Sequence, residues 1–129
     1  MAHKRLTLLL IDDDEDTQLM FALLATYHGG SVFAVKDAES ALNYLENHRP
    51  DIIVIDLYLE NTDGYQTLHW IRQSAFNPHC PIVAATAFFT PMTLSRSVLS
   101  GFDGYLEKPI QFEGLWTYFE ELTNQARQG

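Results

Sequence analysis

Five consecutive acids, Asp12 to Asp16, follow the apolar run Leu8 to Ile11 with no spacer. Asp56 closes a second run, "DIIVID", at 51–56. Thr86 and Lys108 follow two further runs, "PIVAA" and "DGYLE". Carboxylates resist this company: two of them about 4 Å apart repel by roughly 4 kcal/mol at an effective dielectric of 20. They stay ionised together when a cation joins them. Acidic, oxygen-rich sites suit hard cations, and Mg²⁺ is the usual one where phosphate is also handled. A lysine adds a positive point charge and a threonine adds a hydroxyl donor. Metal, ammonium and hydroxyl together match the three oxygens of a phosphoryl group. A central carboxylate can attack phosphorus and form an aspartyl phosphate. That chemistry requires distant parts of the chain to meet on one rim.

The elements that could bring them there are legible. Leu6 to Ile11 reads as a buried parallel strand. A helix over 14–28 follows, with Leu19, Met20, Leu23, Leu24 and Tyr27 at helical spacing, and Gly29-Gly30 stops it. Asp14, Glu15 and Asp16 fall in its first turn, where the helix dipole favours negative charge. That leaves Asp12 and Asp13 for a metal. Ser31 to Val35 is a short strand. Asp37 sits at an N-cap before Ala38, Ala41, Leu42 and Leu45, and Pro50 ends the segment. Asp51 to Asp56 is a third strand. Asp63 caps a helix carrying Leu68, Ile71 and Ala75. Pro81 to Ala85 is a fourth strand, and Thr90-Pro91 reads as N-cap and first residue of a fourth helix. Residues 103–107 form a fifth strand. The last helix shows Phe112, Leu115, Phe119 and Leu122 at steps of three and four.

Strand then helix, five times, predicts an α/β fold: a doubly wound parallel sheet with helices on both faces. Ligands of such sheets bind outside the carboxyl ends of the strands. Those ends carry Asp12, Asp13, Asp56, Thr86 and Lys108, which is the required rim.

Composition bounds the rest. The chain has 129 residues, 47 % hydrophobic and 19 % charged, which suits one domain with one core. A formal net charge of −9 argues against non-specific binding to nucleic acid. The single cysteine, Cys80, cannot form an internal disulfide, so a reducing cytoplasm is expected. No apolar run reaches the roughly 18 residues of a membrane span. The five histidines show no pairing at metal spacing, and His79 beside Cys80 is no zinc site without further ligands.

Four motifs now carry a resemblance. "LLIDDD", "VIDLYLENTDGY", "VAATA" and "GFDGYLEKPI" occur in the order found in the receiver domain of two-component response regulators, and the chain resembles its single-domain, chemotaxis-type form. Thr86 stands 30 positions after Asp56, and Lys108 stands 22 positions after Thr86. The resemblance covers essentially the whole chain, read as one receiver domain over 1–129 with its core at about 6–125. It implies the flavodoxin-like (βα)5 fold with strand order 2-1-3-4-5.

It also implies roles. Asp56 takes a phosphoryl group from a histidine kinase or a histidine phosphotransfer protein. Asp12, Asp13, Asp56 and the backbone carbonyl of Tyr58 hold Mg²⁺. Lys108 pairs with the phosphoryl oxygens, Thr86 moves to hydrogen-bond them, and Tyr105 follows by turning inward. The Lys108-Pro109 bond is cis. The face built by the fourth helix, fifth strand and fifth helix then changes and controls a protein target, and the same face is a route to homodimers. The resemblance implies no enzyme beyond self-catalysed phosphoryl transfer and dephosphorylation.

Departures from the family's pattern are local. Glu60 stands where many receivers have proline, four residues after the acceptor. Tyr58 and Phe88 lie two residues after Asp56 and Thr86, at positions that influence hydrolysis, and two large aromatics there imply slow decay. Other readings meet specific obstacles. A flavodoxin-like cofactor binder wants a Gly/Ser/Thr-rich phosphate loop after the first strand, where this chain has acids. An aspartate-based phosphatase wants a second acid two residues after its nucleophile, where this chain has Tyr58. An unphosphorylated interaction module has no need of Asp13, Asp56, Thr86 and Lys108 together. A receiver cut from a larger hybrid kinase or regulator stays open.

Overall fold

The apolar runs become five strands in the computed structural model, which describes residues 5–59, 63–76, 78–87 and 101–128. They are β1 (Thr7–Ile11), β2 (Ser31–Val35), β3 (Ile52–Asp56), β4 (Ile82–Thr86) and β5 (Gly104–Glu107). All pairings are parallel, in the order β2-β1-β3-β4-β5. Helices α1 (Glu15–Tyr27), α2 (Ala38–Leu45), α3 (Gly64–Gln73) and a C-terminal helix (Leu115–Gln128) pack on it. The expected helix opening at Thr90-Pro91 lies outside the described residues, as do Glu60 and Phe88.

Strand side chains alternate between faces, so each apolar run feeds two cores. Leu9, Ile11, Ile53, Ile55, Ile82 and Ala84 point to α2 and α3, meeting Ala41, Leu45, Leu68 and Ile71. Leu8, Leu10, Ile52, Val54, Val83 and Ala85 point the other way, meeting Phe21, Ala25, Trp116 and Phe119. Each fully buried Leu, Ile or Phe contributes about 1.5–3 kcal/mol relative to exposure. Asp51 locks the lower ends of β1 and β3: its carboxylate accepts from the Thr7 amide at 2.8 Å and the Thr7 hydroxyl at 3.1 Å.

Helix starts follow the sequence closely. Asp14, Asp37 and Asp63 each cap a helix, accepting from the amides of Thr17, Ser40 and Gln66. Asp14 is thus the cap itself, and Glu15 and Asp16 form the first turn. Gly29 takes the left-handed φ of +77° that ends α1. Gly30 has another reason to be glycine: a Cβ there would stand 2.6 Å from the Leu6 carbonyl and 2.7 Å from the Trp116 ring.

Three expectations need correction. On α1, Leu19, Met20, Leu23 and Tyr27 are 59, 44, 58 and 84 % exposed, while Phe21 and Ala25 are buried. This helix is apolar on most of its circumference, so spacing alone could not choose a face. Phe21 decides it by stacking on Phe119 and meeting Phe112 edge-on. On α3, Ala75 lies beyond the helix end and is exposed. Ser74 turns extended there, and Arg72 reaches forward to the Pro78 carbonyl at 2.8 Å. The last helix begins at Leu115 rather than near Phe112. Gly114 has φ +78°, so the chain turns before the helix can start.

Candidate functional site

β1 and β3 are adjacent, and their carboxyl ends set Asp12 and Asp56 side by side. Asp12 is fully buried. Its amide donates to the Val35 carbonyl at 3.0 Å, and its carboxylate accepts the Asp14 amide at 2.9 Å. Asp56 is also buried, and its Oδ1 accepts the Tyr58 amide at 2.9 Å. Lys108 arrives from the end of β5, after its own amide has donated to the Thr86 carbonyl at 2.8 Å. Its ammonium lies 2.9 Å from Asp12 Oδ2 and 3.1 Å from Asp56 Oδ2. Asp13 is half-buried beside them, and oxygens of Asp12, Asp13 and Asp56 lie within 4.8 Å of one another.

The electrostatics follow from one ammonium shared by a crowd of acids. Burial pushes the Asp12 carboxyl up, and the Lys108 hydrogen bond opposes it only in part. Burial pulls on the Lys108 ammonium in the opposite sense, yet the Asp12 bond and the charges of Asp12 and Asp56 outweigh it and raise Lys108. The Lys108 direction reports the carboxylates around it, and the Asp12 direction reports the cost of burying a charge. A buried anionic cluster of this kind is relieved by a further cation. The donors are carboxylate oxygens, so the set fits Mg²⁺.

The structure gathers Asp12, Asp13, Asp56 and Lys108 at one point. Thr86 is buried at the end of β4, one strand from Asp56, whose register partner is Ala85. Tyr58 meets Asp56 through its amide while its side chain is 52 % exposed. The Tyr105 side chain is 45 % exposed. The Lys108-Pro109 bond is cis, as the resemblance implies. Among the described residues no other group of three potential ligands is as close as the aspartate cluster. Cys80 stands elsewhere, with burial pushing its thiol up to about 12.

Two supporting residues went unread in the sequence. Gly64 opens α3 against the end of β3: a Cβ there would stand 2.7 Å from both the Asp56 carbonyl and Leu57 Cα. The "DG" pair at 63–64 was its available signal. Gln18 reaches back from α1 to donate to the Asp12 carbonyl at 2.7 Å, and no local pattern announces it. A groove of about 210 Å³ also opens beside the rim, lined by Thr17, Met20, Lys108, Ile110 and Phe112.

Known proteins align with this geometry. The family model for the response regulator receiver domain matches residues 8–120. The polar-differentiation response regulator DivK of Brucella anthropi is 27 % identical over 104 residues, covering 81 % of this chain and 85 % of DivK. The transcriptional regulatory protein AfsQ1 of Streptomyces coelicolor is 33 % identical over 105 residues, covering 81 % of this chain but 45 % of AfsQ1. A CheY-like receiver domain protein from Methanospirillum hungatei superposes with TM-score 0.85 at 19 % identity, covering 97 % of this chain and 98 % of that one. At that identity the likeness concerns the fold.

Proposed function

This chain belongs to the response regulator receiver domain family, and we propose that it works as the phospho-accepting switch of a two-component phosphorelay. One observation carries the reading: a single ammonium, Lys108, bridges Asp12 and Asp56 inside a cluster of three carboxylates. The chain is taken as one receiver unit, whether it acts alone or within a longer protein.

Asp56 is the nucleophile. One of its oxygens forms the new P–O bond as the P–N bond of a donor phosphohistidine breaks, and the imidazole leaves with the electron pair. The donor is a histidine kinase or a histidine phosphotransfer protein. Asp12, Asp13, Asp56 and the Tyr58 carbonyl are the residues that would hold Mg²⁺. When bound, the metal neutralises charge shared by the acids and the phosphoryl oxygens. Lys108 follows the charge, exchanging its Asp56 contact for a phosphoryl oxygen. The Tyr58 amide holds the acceptor carboxylate at a fixed angle. Thr86 then donates its hydroxyl to the phosphoryl group, and Tyr105 turns inward from its exposed position. The surface around β5 and the C-terminal helix changes and is read by a protein target. A local charge change biasing a two-state element is a general switching device.

The test is intact mass after incubation with Mg²⁺ and acetyl phosphate, run beside Asp56→Ala. One phosphoryl adduct that requires Mg²⁺ and is absent from the variant is the expected result. Absence of an adduct with both acetyl phosphate and a phosphohistidine protein would favour an unphosphorylated interaction module.

A further inference from the structure

β5 and the C-terminal helix meet at one unusually close contact. Gly104 faces the helix, and a Cβ built on it would collide with the Tyr118 hydroxyl. That Cβ would also stand 3.3 Å from Tyr118 Cζ and 3.5 Å from Leu122 Cδ1. Glycine is therefore required for the phenol to sit there. The same phenol hydrogen-bonds with the backbone of the next residue, Tyr105. Its ring is braced from behind by Phe119, with centroids 6.2 Å apart. Burial pushes the Tyr118 hydroxyl up, and the Tyr105 backbone bond opposes this in part, as a donor to the phenol oxygen does.

Alternation along β5 makes this placement informative. Gly104 and Leu106 face the C-terminal helix, so the Tyr105 side chain points to the opposite face of the sheet. Tyr118 therefore touches the main chain of a residue whose side chain lies on the other side. The backbone of Tyr105 is thereby tied to the helix.

We propose that Tyr118 is a positioning residue that couples Tyr105 to the C-terminal helix, through its seat on Gly104 and its hydrogen bond to the Tyr105 backbone. The inference rests on the switch reading given above. It assigns Tyr118 no part in phosphoryl transfer.

Two variants test it. Tyr118→Phe removes the hydroxyl and keeps the ring, while Gly104→Ala evicts the phenol. Backbone amide resonances are recorded before and after adding Mg²⁺ with beryllium fluoride, a mimic of the phosphoryl group, and adduct growth with acetyl phosphate is timed by intact mass. In the wild type, shifts are expected at 12, 13 and 56 and along 115–123. In Tyr118→Phe the rim shifts and the adduct rate stay as in the wild type, while coupling to 115–123 falls about fivefold, the lower range for a lost allosteric link. Gly104→Ala is expected to do the same. Full helix shifts in Tyr118→Phe overturn the proposal, as does a helix response that falls only in step with the adduct rate. Should Gly104→Ala not fold, Tyr118→Phe carries the test alone. A wild type whose rim does not respond overturns the switch reading and the coupling with it, an outcome distinct from loss confined to the variants.

Discussion

At the scale of single residues, Lys108 has the heaviest task. It is the counter-charge of Asp12 and Asp56 and the proposed partner of the phosphoryl oxygens. Removing one preorganised donor of this kind costs roughly 10²–10³ in rate. Lys108→Ala should therefore slow adduct growth with acetyl phosphate by about that factor, read by timed intact mass. An unchanged rate would show that the ammonium does not touch the reacting group. Tyr58 is the proposed shield of the acyl phosphate: its amide donates to Asp56 Oδ1, and the residue is half-exposed. The expected outcome for Tyr58→Asn is a phosphoprotein that decays several-fold faster than the parent, because less bulk keeps water off the acyl phosphate. Equal decay rates would remove Tyr58 as a shield. Phe88, its companion in the sequence argument, lies outside the described residues.

At the scale of elements, α1 has two apolar faces that its sequence mixed together. Phe21 and Ala25 hold it to the sheet, and Leu19, Met20, Leu23 and Tyr27 face outward. Contiguous exposed apolar side chains mark interaction surfaces. Met20 also lines the groove beside Lys108, so a protein donor that docks at this groove would meet this helix. Met20→Glu should slow phosphotransfer from a phosphohistidine protein by tenfold or more, in line with the roughly 1–3 kcal/mol of a good interface contact, and leave acetyl phosphate chemistry intact. Equal loss with both donors would mean that the substitution damaged the rim.

The helix starts make a separate prediction about acid. The Asp14 carboxylate is held below its ordinary value of 3.8 by the Thr17 hydroxyl and then by the Thr17 amide. Asp37 is held below 3.8 chiefly by the Ser40 amide. Both lowered values favour the ionised form in the fold. The stability they add is present above 3.8 and is lost as pH falls through the lowered folded values. Asp37→Ala should cost about 1 kcal/mol at pH 7, and its deficit against the wild type should shrink below pH 3.8 in urea titrations. A deficit independent of pH would contradict the cap.

At the scale of the whole molecule, the rim is a cost that the fold sustains. The buried carboxylates of Asp12 and Asp56 share one ammonium, while two apolar layers supply the stability on either side of the sheet. A cation that binds only the folded state raises stability by RT ln(1 + [L]/Kd), about 2.7 kcal/mol at a hundredfold excess over Kd. Adding Mg²⁺ should therefore raise the melting temperature, and Asp13→Asn should abolish most of that rise. A rise that persists in the variant would locate the cation elsewhere. Among the described residues no helix is long and apolar enough to cross a membrane.

Among the described residues, the sequence alone determined the order of elements, the parallel sheet and the residues at the rim. These depend on local signals: apolar runs of strand length, aspartate caps, glycine stops, and acids placed directly after strands. Asp12, Asp56 and Lys108 were readable because a doubly wound sheet sends every strand's carboxyl end to the same side. Only the tertiary structure decided which face of α1 is buried, because that choice belongs to Phe119 and Phe112, some ninety residues away in the chain. It also decided that Gly64 packs against the Asp56 backbone, that Gln18 holds the Asp12 carbonyl, and that Tyr118 seats on Gly104. Each of these is a contact between elements rather than a preference within one, and packing at a few ångströms leaves no periodic trace in the chain.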